Sequence, residues 1–283
     1  MNSVCLLDRF EAGRWLVAQD DRAAREGRLL PLILAMLLIA ALPLLLNGYH
    51  WGFHSIQAWS VHLPGAFWES ITVLGDERML LALALPFYRR YPQIFWSILI
   101  SAIIAGLLCR GIKLMAGMPR PAGVLLAQKM TIIGPRITAG SFPSGHSASI
   151  FAFVGVWIAF LTPRRLPLLF GVAIVAAFSR VAVGAHWPTD VMLGGALGLL
   201  SAWLGLRVSR YVRWQIHQKI WLVALMIVVL ATCTLPFDGQ GYSQSLYFRV
   251  LVSVLGLFFA FLLYRGFKPQ WEKAAFDKTV TFA

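Results

Sequence analysis

Apolar runs long enough to cross a hydrocarbon layer constrain this chain more than any other feature. The first clear run is Leu29 to Leu46, and others fall at about 93–112, 145–162, 166–184, 188–206, 218–236 and 246–264. Each approaches or reaches the roughly 20 residues a transmembrane helix needs. A further segment, about 67–88, has a similar length but holds Glu69, Asp76, Glu77 and Arg78. Charges at mid-depth are costly unless they pair or face a polar interior. That segment is therefore either an interfacial helix leading into a short crossing or a polar support within the bundle. The runs are continuous rather than alternating, which argues against a closed barrel. The expected fold class is all-α, a polytopic transmembrane helical bundle of about eight spans.

Composition agrees: of 283 residues, 59% are hydrophobic and 13% charged, against about 25% charged in a soluble domain. A net charge of +13 would suggest nucleic acid for a soluble protein. Here it follows the positive-inside bias of membrane loops, and no aromatic-interleaved basic stretch supports a nucleic-acid partner. Cys5, Cys109 and Cys233 are far apart, with neither a disulfide framework nor a zinc spacing. His50 and His54 have helical i,i+4 spacing, but no carboxylate or cysteine joins them at ligand spacing, so no metal is expected.

Three regions follow. Residues 1–28 hold Asp8, Glu11, Asp20, Asp21 and Glu26 before any long apolar run, unlike a signal peptide. With Leu6, Leu7, Phe10, Trp15 and Val17 among those charges, the segment suits an amphipathic helix at a cytoplasmic interface. Residues 29–208 form the expected membrane core, and 209–283 two additional transmembrane helices with a cytoplasmic tail. Most of the 25 Lys and Arg lie in the N-terminal segment, at 89–90, at 164–165, at 207–219 and from Arg265 onward. With eight spans, this bias puts both termini in the cytoplasm and the polar motifs on the outer face of the plasma (inner) membrane.

Those motifs occupy 113–190. Lys113 and Arg120 precede Pro121, and Arg offers phosphate oxygens a planar fork where Lys offers a point charge. Pro143-Ser144-Gly145-His146 opens an apolar helix. Ser is a favoured N-cap, Gly lets an anion approach the backbone, and helix N-terminal amides face negative charge. His146 adds an imidazole there. In the third motif, His186 and Asp190 are four apart on one helical face, with Pro188 placed to begin the helix. A carboxylate beside one imidazole nitrogen fixes the tautomer and frees the other as nucleophile or base. Arg180 ends the preceding apolar run, where a guanidinium is costly without an anion. Three cations suit one trianionic group, and two imidazoles suit a nucleophile and an acid.

The pattern K-x6-R-P, P-S-G-H and S-R-x5-H-x3-D, in this order, resembles the signature of the type 2 phosphatidic acid phosphatase superfamily over roughly 67–206. The resemblance implies a six-helix phosphatase core that needs no metal or other cofactor. It implies that His186 attacks phosphorus, that Asp190 orients it and that His146 protonates the leaving oxygen. Lys113, Arg120, Ser144, Gly145 and Arg180 would then hold the phosphate. The expected partners are the bilayer and a lipid phosphate, such as undecaprenyl pyrophosphate, phosphatidic acid or phosphatidylglycerol phosphate. Alternatives are a lipid A phosphatase, a lipid-to-lipid phosphotransferase and, from another class, a lipid phosphate transporter. Headgroup binding needs only the cations, so the intact pair of histidines favours catalysis.

Overall fold

The computed structural model describes Arg22, residues 25–211 and residues 218–264. Most of the segment expected to be amphipathic over 1–28, Arg213 and the tail from Arg265 lie outside the described residues. The described chain is all-helical. In chain order it runs α1 Leu29–Asn47, α2 Phe53–Ser60, α3 Gly65–Thr72, α4 Glu77–Ala84, α5 Pro92–Ala116 and α6 Pro121–Val124. There follow α7 Gly145–Phe160, α8 Leu166–Ala182, α9 Pro188–Tyr211, α10 Gln218–Thr234 and α11 Leu246–Tyr264.

Among the described residues, five helical stretches are long and apolar enough to cross a membrane: Leu29–Asn47, Pro92–Val124, Pro163–Ala182, Pro188–Arg210 and Ser243–Leu263. Gly145–Phe160 and Lys219–Thr234 are shorter apolar helices. Local chemistry sets several ends as the sequence predicts. Ser144 caps α7, its side chain accepting from the Ser147 amide at 3.4 Å, and Pro188 begins α9. α5 ends at Gly117, whose φ of +57° suits glycine.

The segment at 67–88 departs from a single span. It breaks into α3, a tight turn at Val73–Gly75, α4 and a second tight turn at Leu85–Phe87. Asp76 explains the break, because its side chain caps α4 by accepting from the Arg78 amide at 2.8 Å. The charges then find partners in the connection between α10 and α11. Arg78 pairs with Asp76 and Asp238 at 3.0 Å each, and Glu69 accepts from the Gln244 amide at 2.7 Å.

The centre of the bundle is α9 against α7. Gly194 and Gly198 let the helices touch: a Cβ on Gly194 would lie 2.4 Å from the Ser144 carbonyl oxygen, and one on Gly198 would lie 2.3 Å from that of Ala148. Lipid supplies little hydrophobic drive between helices, so close packing of small residues takes its place. This contact brings the start of α7, with Ser144 and His146, beside the start of α9, with Asp190. The α10–α11 pair packs on α4 and α5 through Tyr88, Phe95, Trp96, Trp221 and Val228.

Polar residues gather at both ends of the bundle. One end carries the Glu26–Arg210 ion pair, the Arg22–Gln93 hydrogen bond at 2.7 Å and the Arg25 donation to the Leu161 carbonyl at 3.1 Å. The other end carries all three motifs.

Candidate active site

Three connections fold over the motif end and cross-brace one another. The Arg120 amide donates to the Thr138 carbonyl at 2.8 Å, and the Ser141 amide to that of Met118 at 2.9 Å. The Trp187 indole donates to the Pro119 carbonyl at 3.0 Å. Gly184, at φ +76°, turns the chain after α8 so that the Ala185 and His186 amides both return to the Arg180 carbonyl, at 3.0 and 3.1 Å. Residues from the ends of four helices thereby meet in one place.

Asp190 is the buried hub. Its Oδ2 lies 3.3 Å from His186 Nδ1 and accepts from the Trp187 amide at 2.9 Å and from Ser141 Oγ at 2.5 Å. Tyr49 donates its hydroxyl to Oδ1, and the Ser144 amide donates to the Asp190 carbonyl at 3.0 Å. The expected His186–Asp190 pair is therefore present, and it places the proton on Nδ1 and leaves Nε2 as the basic atom. Burial holds His186 well below the ordinary histidine range, and Arg120, Arg180 and Lys113 nearby push in the same direction. Burial and the Asp190 carboxylate hold the Tyr49 phenol above its ordinary range, so it stays a proton donor.

The three expected cations converge, each anchored by oxygens. Lys113 Nζ donates to the Gly140 carbonyl at 2.6 Å. Arg120 donates to the carbonyls of Ala139 at 3.0 Å and Ala185 at 3.3 Å. Arg180, 3% exposed, donates from Nη1 to Thr72 Oγ1 at 2.7 Å and to the Tyr242 hydroxyl at 2.9 Å. No carboxylate neutralises Arg180 in these contacts, so the site keeps charge for an anion. Arg180 Nε and His146 Nε2 are buried and make no hydrogen bond within the described residues. Unpaired buried polar atoms are costly, and an oxyanion with its leaving oxygen would satisfy both. Ser144 Oγ accepts from Ser147, at 3.0 Å from its hydroxyl, which leaves the Ser144 proton as a donor. Space beside Gly145 is open: a Cβ there would meet nothing within 4 Å.

Four residues escaped the sequence. Tyr49 lies in a loop notable there for its histidines, and Ser141 lies just before the second motif. Thr72 and Tyr242 carry no local signal. His50 stacks on Trp187 with ring centroids 3.8 Å apart, and His54 lies edge-on to Phe53. Among the described residues no group of three or more His, Cys, Asp or Glu is placed to hold a metal ion.

The chain is similar to known phosphatases over part of its length. Residues 94–214 match the PAP2 superfamily. The chain is 29% identical over 124 residues to an undecaprenyl-diphosphatase of Sulfolobus acidocaldarius, which covers 43% of this chain and 58% of that protein. It is 36% identical over 111 residues to a lipid A 1-phosphatase of Rhizobium johnstonii, covering 38% of this chain and 36% of that protein. The match thus spans less than two thirds of either relative. The crystal structure of Aquifex aeolicus LpxE superimposes with a TM-score of 0.50 at 24% identity, covering 55% of this chain and 92% of that one. The two share a helical fold.

Proposed function

We propose that this chain, whose residues 94–214 match the PAP2 superfamily, is an integral-membrane phosphatase acting on a lipid phosphomonoester or diphosphate. The observation that carries the proposal is the buried His186–Asp190 pair beside Lys113, Arg120 and Arg180, which form no ion pair with a carboxylate among the described residues. The undecaprenyl-diphosphatase and lipid A 1-phosphatase similarities support a lipid substrate.

In the proposed mechanism His186 Nε2 attacks phosphorus. An N–P bond forms as the bond to the leaving oxygen breaks, and His146 passes its proton to that oxygen. Lys113, Arg120, Arg180, Ser144 and the Gly145 amide hold the remaining phosphate oxygens as charge redistributes. Asp190, held by Tyr49, Ser141 and the Trp187 amide, keeps His186 in the tautomer that leaves Nε2 free. Neutral His146 then takes a proton from water, the resulting hydroxide bonds to phosphorus, and the N–P bond breaks to release phosphate. No step calls on a metal.

The outer membrane face is proposed for the site, supported by the basic residues at the opposite end of the bundle. Phosphate release from a panel of purified long-chain lipid phosphates, in the presence of a chelator, tests the function. Release from long-chain substrates that survives chelation and is inhibited by vanadate is expected. Binding of these lipids without release would favour a transporter.

A further inference from the structure

A polar cavity of about 350 Å³ borders His146 and Gly145, with Asp76, Glu77, Arg78 and Arg110 in its wall. Lys113, Arg120, Arg180 and His186 do not line it, so it adjoins the phosphate cradle only at Gly145 and His146. Glu77 and Arg110 also line a second, apolar groove of about 470 Å³ between α5 and α10. The two spaces therefore share that pair as a common wall. We propose that the groove holds the hydrocarbon tail of the substrate, and the polar cavity the headgroup atoms between tail and scissile phosphate. The proposal rests on the phosphatase reading above.

His146 is the group placed to protonate the leaving oxygen, so whatever that oxygen carries must continue into space bordering His146. The polar cavity is that space. Its acids and bases offset one another: Arg78 pairs with Asp76 and Asp238 at 3.0 Å each, and Arg110 lies within electrostatic reach of Glu77. Such a lining suits the hydroxyl and ester oxygens of a neutral headgroup better than a second bare phosphate.

The groove then matches a lipid chain in depth as well as polarity. Arg110 is one helical turn before Lys113, at the site end of α5. From Arg110 to Trp96 the helix descends about 21 Å at 1.5 Å per residue, more than half of a hydrocarbon core roughly 30 Å thick. Ile103 on α5 and Val223 on α10 form opposing walls, 52% and 57% exposed. Trp96 stacks on Trp221 at 6.0 Å at the far end. A larger apolar groove of about 660 Å³, beside Trp59, Val175 and Phe178, shares no residue with the polar cavity.

The experiment compares kcat/KM on phosphatidic acids with hexadecanoyl and with butanoyl chains, in purified full-length protein. Ile103→Trp and Val223→Trp, filling the groove from either wall, should each lower the long-to-short ratio by about tenfold, the cost of displacing roughly two methylenes. Val175→Trp, in the unconnected groove, should leave the ratio unchanged. Wild-type activity with an unchanged ratio in both groove variants, or a fall in Val175→Trp alone, overturns the groove assignment and leaves the phosphatase standing. A wild-type protein that releases phosphate from neither substrate, nor from any other member of the lipid phosphate panel, overturns the phosphatase reading, and the groove with it.

Discussion

Arg180 donates to the phenol oxygen of Tyr242 at 2.9 Å, and its guanidinium lies 5.8 Å from the centre of that ring. Tyr242 stands in the connection between α10 and α11, beyond the residues that match the PAP2 superfamily. A connection outside the matched region thus contributes a contact to Arg180.

Tyr242→Phe should keep the ring packed on Gly134, which a Cβ would approach to 2.4 Å from Tyr242 Cε1, and remove only the acceptor. A hydrogen bond to a charged group contributes about 1.5–3 kcal/mol, so kcat/KM should fall roughly tenfold to a hundredfold. Thermal unfolding in detergent should change little, whereas Tyr242→Ala should lower both. Steady-state kinetics beside unfolding curves check the pair.

His186→Ala should abolish turnover, by roughly a thousandfold or more, as removal of a nucleophile does. Asp190→Asn should lose less, because its proposed role is orientation. A phosphoenzyme trapped at low temperature in the wild type, absent from His186→Ala and labile to acid, is the expected chemical signature.

The pH profile follows from the cations around His186. Burial, then Arg120, Arg180 and Lys113, hold its folded value below that of the unfolded chain, about 6.5. The unfolded state therefore binds the proton more readily, so His186 makes stability fall as pH drops through about 6.5 and below. Neutral His186, the proposed nucleophile, persists over the same range, placing the acid limb of kcat/KM below about 6.5. Lys113→Met removes one repulsive charge and should move that limb to higher pH, whereas Lys113→Arg should not. Rate profiles of the three proteins decide it.

Gly75 and Gly145 flank His146 with opposite space around them. A Cβ on Gly75 would lie 2.7 Å from His146 Cβ and 2.8 Å from its carbonyl oxygen. Gly75→Ala should therefore displace His146, at a cost of about 1–3 kcal/mol in folding and a loss of kcat. Gly145→Ala meets no protein atom within 4 Å, so it should fold normally and raise KM where the phosphate must approach. Unfolding and saturation kinetics separate the two.

The orientation predicts which positions an impermeant thiol reagent reaches. In a background with the native cysteines replaced by Ser, Ile137→Cys and Phe237→Cys should label from outside the cell. Arg164→Cys should label only after the membrane is permeabilised. All three positions are exposed on the protein. The reverse pattern would put the site in the cytoplasm.

The sequence by itself determined what depends on near neighbours. The apolar runs became helices, Ser144 capped α7, Pro188 opened α9, and the i,i+4 spacing put His186 beside Asp190. Each is a contact within about one helical turn, where residue type and spacing are sufficient. The three cations were legible too, because an Arg or Lys at the end of an apolar run needs a reason to be there. Tertiary structure alone decided the rest. Tyr49 and Ser141 on Asp190, and Thr72 and Tyr242 on Arg180, are joined across 141, 49, 108 and 62 residues. A hydroxyl in a loop has no periodicity that names its partner. The partner is chosen by whichever elements pack together, and here the small-residue contact between α7 and α9 and the docking of the α10–α11 connection made that choice. The break at Val73–Gly75 has the same origin: Glu69, Asp76 and Arg78 are tolerable at the bundle's end because a connection some 160 residues later supplies their partners.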